Sequence, residues 1–144
     1  MKHATHKILG LTRIAMGTLF FYAGITKILN PEWTAKGYLE GAQTLTGLYQ
    51  WMAQPGILPY IDVLNKWGLT LIGIALLLGI GSRTASIFGA IMMLLYYFPE
   101  LNFPYVGEHS FLVDEHIIYA LVLLTLYSTN AGSYLGFQGR FRRK

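Results

Sequence analysis

Long apolar stretches separated by shorter polar segments make up most of this chain. They predict four helices, at about 8–29, 67–81, 84–98 and 111–128. The first is long enough to cross a bilayer, because a span needs about 20 mainly apolar residues. The third is short for a span unless its flanking residues join it. The pattern therefore predicts an all-α fold, namely an integral membrane four-helix bundle.

The connection between the first two helices, about 31–66, is amphipathic. Apolar residues such as Leu39, Trp51 and Ile57 stand among polar ones, which is typical of short helices that lie in a membrane interface. Pro55 divides this segment into pieces. We therefore expect an interfacial first outer loop.

Composition favours a membrane over an aqueous setting. Hydrophobic residues make up 53% of the chain and charged residues 12%, whereas a soluble domain carries about 25% charged residues. A chain of 144 residues forms one domain, 1–144. The net charge of +4 does not indicate a nucleic acid partner, because the basic residues are scattered and end in the tail Arg140–Lys144. Such a tail is typical of an anchor to anionic lipid.

The charges also predict an orientation. If both termini are cytoplasmic, the inner side carries Lys2, Lys7, Arg13, Arg83, Arg140, Arg142, Arg143 and Lys144. The outer side then carries three lysines, Lys27, Lys36 and Lys66, and all seven acidic residues. This distribution obeys the positive-inside rule. We expect a multi-pass protein of the cell (inner or plasma) membrane with its N- and C-termini in the cytoplasm.

Cysteine is absent, which excludes disulfides, thiolate nucleophiles and iron–sulfur clusters. Of the four histidines, only His116 falls inside a predicted helix, and this disfavours a haem held by two histidines. We expect no haem, iron–sulfur cluster or metal in this chain.

The first predicted helix has one distinctive face. Arg13, Gly17, Phe20, Gly24 and Lys27 recur at steps of four, three, four and three, so they lie on the same side. Its glycines allow another backbone to approach closely. Two interpretations stay open: a packing face whose two cations reach the headgroups, or the lining of a polar cleft.

The start of the fourth helix holds the densest polar cluster, Asp114-Glu115-His116 followed by Tyr119. A carboxylate, an imidazole and a phenol can exchange protons with a small redox-active ligand such as a quinone. The alternative is structural, with Asp114 capping the helix and Glu115 favouring its dipole. Both interpretations stay open.

Topology brings these two features to one level. Lys27 ends the first helix on the outer side, where Asp114 and Glu115 begin the fourth, so an ion pair of Lys27 with either carboxylate is expected to be within reach. Trp33, Trp67 and Asn65 lie at this level. Each tryptophan is either an interfacial anchor or part of the wall of a ligand site. A site in this protein should therefore open outward.

Several motifs in order resemble the DoxX/DoxD family of small membrane proteins, and the DoxD branch most closely. They are Arg13-x3-Gly17-x6-Gly24-x2-Lys27, Pro31-Glu32-Trp33, Asn65-Lys66-Trp67-Gly68, Gly73-x5-Gly79-x3-Arg83, Asp114-Glu115-His116-x2-Tyr119, Asn130-Ala131-Gly132 and Leu135-Gly136. The resemblance implies a four-helix membrane subunit of a thiosulfate:quinone oxidoreductase, also described as a terminal quinol oxidase subunit. Such an enzyme oxidises thiosulfate to tetrathionate and passes the electrons to quinone, an exchangeable substrate. It also implies a second, membrane or extracytoplasmic, subunit.

The leading hypothesis is therefore a membrane subunit of a quinone-linked oxidoreductase. Its predicted site residues are Lys27, Glu115 and His116 for catalysis, and Asp114, Tyr119, Trp33 and Trp67 for binding the quinone. The alternative is a non-enzymatic scaffold or accessory protein that supports a partner complex, and a homo-oligomer is compatible with either. Passage of a small solute is disfavoured, because the second and third helices have almost no polar side chains.

Overall fold

The computed structural model describes residues 2–137 and 139, most of which are helical. The helices are α1 (Lys2–Leu29), α2 (Lys36–Glu40), α3 (Thr46–Met52), α4 (Leu58–Leu78), α5 (Ser82–Glu100) and α6 (Glu115–Ser128). A 3-10 turn, Ala131–Ser133, follows α6. The basic tail Arg140–Lys144, predicted as a lipid anchor, lies outside the described residues.

The four long helices α1, α4, α5 and α6 match the four apolar stretches, but their bounds differ. α4 begins at Leu58 rather than near residue 67, because Pro59 fits the first turn of a helix. α5 extends to Glu100 with Pro99 in its last turn, so the third helix is longer than predicted. Within the described part of the chain, two helices are long and apolar enough to span a bilayer, His3–Leu29 and Leu58–Leu78.

A small sheet, which the apolar pattern did not predict, lies between α5 and α6. Its antiparallel strands are β1 (Leu101–Asn102), β2 (Tyr105–Val106) and β3 (Ser110–Phe111), paired in that order. The fourth helix therefore begins at residue 115 rather than 111, and the fold is mostly rather than wholly helical. Asp114 caps α6 by accepting a 3.1 Å hydrogen bond from the backbone N–H of Ile117, as one of the two interpretations required.

Close contact between α1 and α4 depends on glycine. A Cβ at Gly17 would lie 2.8 Å from the backbone nitrogen of Leu77, and one at Gly24 would collide with Thr70. Gly73 of α4 is a third such position. The glycines of the predicted face therefore do admit a neighbouring backbone.

Arg13 is fully buried, so it is not a cation that reaches the headgroups. Its guanidinium donates to the carbonyls of Leu76 and Leu77 in the last turn of α4, and to those of Tyr134 and Leu135 beyond α6. The last carbonyls of a helix have no partner within it, and a cation complements the negative end of the helix dipole. Arg13 therefore joins α1, α4 and the segment after α6.

Two hydrophobic clusters fill the interior. The larger lies among the long helices around the fully buried Phe20 and Leu123. The smaller packs α2 and α3 against the long helices around Tyr49. Following the orientation predicted from charge, we call the end that holds Lys27 the outer end and the end that holds Arg13 the inner end.

Candidate functional site

A cavity of about 260 Å³ lies at the outer end, and we call it the outer cavity. Most of its wall is apolar and comes from α2 to α5: Leu39, Met52, Ile61, Leu64, Met92 and Leu95. Ligand cavities usually measure about 300–1,000 Å³ and combine apolar walls with a few polar groups. At about 260 Å³ the outer cavity lies just below this range, which suits a ligand no larger than one substituted ring.

The two short helices of the first loop cover this cavity. Tyr38 of α2 donates to the carbonyl of Tyr96 and, at 3.3 Å, to Glu100, while Tyr49 of α3 donates to the carbonyl of Leu95 at 3.0 Å. Burial raises the pKa of both phenols, and Glu100 raises that of Tyr38 further. Both therefore stay neutral donors, and the loop predicted to be interfacial is fixed over the outer cavity.

Asn65 and Tyr96 supply polar atoms in the cavity wall. The Tyr96 hydroxyl donates a 2.5 Å hydrogen bond to Asn65 Oδ1. This bond fixes the orientation of the Asn65 amide, whose NH₂ group remains a donor for a ligand.

Trp33 lies beside two lysines at the outer end. Lys27 Nζ is 5.3 Å and Lys66 Nζ 5.4 Å from the centre of its ring, within the range of a cation–π interaction. Lys27, which lines the cavity with Trp33, also donates to a carbonyl one turn back in α1 at 3.1 Å. Neither lysine forms an ion pair among residues 2–137 and 139, so the expected pair of Lys27 with Asp114 or Glu115 does not form. The two cations place local positive charge beside the outer cavity.

Asp114 and His116 lie behind the cavity wall. His116 Nδ1 is 2.6 Å from Asp114 Oδ2, and the His116 ring stacks on Tyr96 with 5.8 Å between ring centres. Tyr96 thus separates the imidazole from the outer cavity. His116 supports the wall and does not line it.

The other predicted site residues lie elsewhere. Glu115 is exposed in the first turn of α6, Trp67 is half exposed on α4, and Tyr119 packs against the larger hydrophobic cluster. None of the three lines the outer cavity. The sequence prediction named neither Tyr38 nor Tyr96 as a site residue, although phenols within apolar segments are a signal that could have drawn attention to them.

Part of the chain that includes the outer cavity matches a known protein family. The DoxX model matches residues 8–99, well over half of the chain. The chain belongs to the DoxX family. This is a membrane protein family, so the apolar helices belong to a membrane protein. Every residue that lines the outer cavity falls within the match, whereas Asp114 and His116 lie beyond it. No curated protein and no solved structure gives a significant match to the chain.

Proposed function

We propose that this DoxX protein binds a quinone ring in the outer cavity, as the membrane subunit of a quinone-linked oxidoreductase. The observation that carries the proposal is an apolar cavity whose polar side chains include Lys27, Asn65 and Tyr96. A quinone ring is flat and apolar and accepts hydrogen bonds only at its carbonyl oxygens, which matches this lining. The protein would span the cell membrane four times, with both termini in the cytoplasm.

Lys27 is the residue proposed to favour reduction. A quinone gains negative charge on its oxygens as it takes up electrons, and a fixed cation stabilises that charge more than it stabilises the neutral ring. The Asn65 NH₂ group would hold a carbonyl oxygen, and Trp33 would flank the ring. His116 would act as a positioning residue, because it contacts the wall through Tyr96.

The proposed electron donor is thiosulfate, as the resemblance to the DoxD branch implies. Two thiosulfate ions lose one electron each and join through a new S–S bond as tetrathionate, while the quinone takes up two electrons and two protons. Lys27 and Lys66 would hold these dianions locally, beside Trp33. A second, extracytoplasmic subunit is the proposed site of the sulfur chemistry.

The exposed sheet favours a second candidate, an accessory protein that docks a partner. Phe103, Tyr105 and Phe111 are 76%, 61% and 64% exposed, and clustered exposed apolar side chains mark interaction surfaces. This candidate requires no quinone binding.

Turnover in native membranes tests the oxidoreductase proposal. Membranes that contain the full chain with its natural partners should reduce a short-chain quinone with thiosulfate, and Lys27→Ala should lower the rate at least tenfold. Lys36→Ala is the matched control, because Lys36 is an outer lysine paired with Glu40 at 3.8 Å. Equal rates in wild type and Lys27→Ala would refute the role of Lys27 in quinone reduction. Absence of thiosulfate-dependent quinone reduction in wild-type membranes would refute the oxidoreductase proposal.

A further inference from the structure

Three metal-ligating side chains meet outside the outer cavity, where α5 ends and α6 begins. Glu100 is the last residue of α5, and Asp114 and His116 lie at the start of α6. One ligand atom of each lies within 4.8 Å of the other two. The small sheet brings these distant parts of the chain together.

Contrary to the expectation from the sequence that the chain holds no metal, we propose that Glu100, Asp114 and His116 bind a divalent transition-metal ion, with zinc as the best match. Zinc accepts imidazole nitrogen and carboxylate oxygen, whereas calcium and magnesium prefer oxygen alone. Around a tetrahedral zinc ion, ligand atoms at about 2.0–2.2 Å from the metal lie about 3.3–3.6 Å apart, so a pair separated by 4.8 Å must close by about 1.2–1.5 Å. His116 Nδ1 and Asp114 Oδ2, now 2.6 Å apart, must separate by somewhat less than that. Glu100 is exposed and can make this movement.

The ligands are already held in place by other contacts. The Asp114 and His116 side chains are 7% and 17% exposed, and Asp114 Oδ1 is fixed by the backbone of Ile117. Tyr38 donates to Glu100 at 3.3 Å. Contacts of this kind orient metal ligands and raise affinity. The ion would take the place of the proton between His116 and Asp114, and two carboxylates would balance its charge.

Another pair of the same residue types provides a contrast within the described residues. Glu108 and His109 lie 3.9 Å apart, and both side chains are 91% exposed. No third ligand joins them. They therefore serve as a control for binding by exposed surface groups.

The test is a zinc titration of the full, tag-free chain in nanodiscs, after chelation of any metal. Wild type should retain one zinc ion per chain after dialysis. Glu100→Gln and His116→Gln should each weaken binding at least tenfold, and Tyr38→Phe should weaken it less. The double variant Glu108→Gln/His109→Gln should bind like wild type.

Three results would overturn the proposal: no stoichiometric zinc, wild-type affinity in Glu100→Gln, or loss of binding in the double control. Because Glu100 is exposed, its variant should unfold at the wild-type temperature in the absence of metal, and that measurement separates lost ligation from lost fold. Glu100 does not line the outer cavity and has no role in the quinone proposal, so loss of zinc binding in Glu100→Gln tests this proposal separately from the quinone proposal.

Discussion

The Tyr96 hydroxyl donates a 2.5 Å hydrogen bond to Asn65 and so joins α5 to α4 in the wall of the outer cavity. The same residue accepts at its carbonyl from Tyr38 and stacks against His116. One tyrosine thus links α2, α4, α5 and α6 around the proposed ligand. A wall fixed to rigid elements is what a preorganised site requires.

Tyr96→Phe should weaken quinone binding several-fold. The change keeps the ring but frees Asn65 to rotate, and loss of the hydrogen bond should cost about 1 kcal/mol of unfolding free energy. Tyr97→Phe is the matched control, because Tyr97 donates to Leu112 at 2.6 Å and does not line the cavity. It should lose similar stability and keep wild-type affinity. Unfolding curves and quinone titrations of both variants measure this, and equal affinities would argue against the role of Asn65.

Arg13→Ala should destabilise the protein by about 3 kcal/mol or more, because four buried or partly buried carbonyls lose a charged donor and the fully buried side chain leaves a cavity. Arg13→Lys should recover only part of this loss, since lysine lacks the planar fork of arginine. The control is Arg83→Ala: Arg83 is exposed and lies 4.7 Å from the Tyr127 ring, a contact worth about 1 kcal/mol or less. Denaturant unfolding in detergent compares the variants. Similar losses of unfolding free energy for Arg13→Ala and Arg83→Ala would contradict the claim that Arg13 joins α1, α4 and the segment after α6.

Gly73→Ala should separate α1 from α4. Its new methyl group would collide with the backbone of Phe21, and overpacking of this kind costs about 1–3 kcal/mol. Gly37→Ala is the control, because a Cβ there meets nothing within 4 Å. The midpoint of thermal unfolding should fall in the first variant and stay level in the second. A neutral Gly73→Ala would mean that the two helices are not in such close contact.

Alkaline pH should remove the stability contributed by Tyr38. Burial and then Glu100 raise the pKa of this phenol in the folded protein above its unfolded value of about 10. Its contribution is therefore complete below about pH 10 and is lost as the pH rises toward the folded-state pKa. The difference in unfolding free energy between wild type and Tyr38→Phe should shrink by about 1 kcal/mol or more from pH 9 to pH 11, as measured by denaturant unfolding. Tyr60→Phe, which changes an exposed phenol, should follow wild type, and a constant gap for Tyr38→Phe would contradict this.

Apolar periodicity located the four long helices and predicted Lys27 and Trp33 at the same end of α1, because these features depend on local sequence. It could not give the start of α6. The segment after Pro99 forms strands that pair with each other, and the two-residue strands are too short to show an alternating pattern.

The partners of Arg13 and Tyr96 were also beyond prediction. Arg13 donates to backbone carbonyls, which carry no sequence signal, and Tyr96 belongs to an aromatic run that equally suits an interfacial belt. The outer cavity exists because α2 and α3 fold over α4 and α5, and contacts between distant segments cannot be read from periodicity. The sequence predicted Lys27 and Trp33 at one level, and the structure places both in the wall of the outer cavity, but the sequence could not name the rest of that wall.

The central claim is that a quinone ring occupies the outer cavity beside Trp33. A variant with Trp51→Phe and Trp67→Phe keeps Trp33 as its single tryptophan, and a quinone quenches the fluorescence of a tryptophan that it contacts. A matched variant with Trp33→Phe and Trp51→Phe keeps Trp67, which does not line the cavity.

Titration of both variants in nanodiscs with a short-chain quinone is the most direct test. Trp33 fluorescence should fall along a saturating curve that Lys27→Ala shifts at least tenfold to higher concentration, while Trp67 should show only linear, collisional quenching. Linear quenching of both tryptophans, or a saturating curve unchanged by Lys27→Ala, would contradict the account.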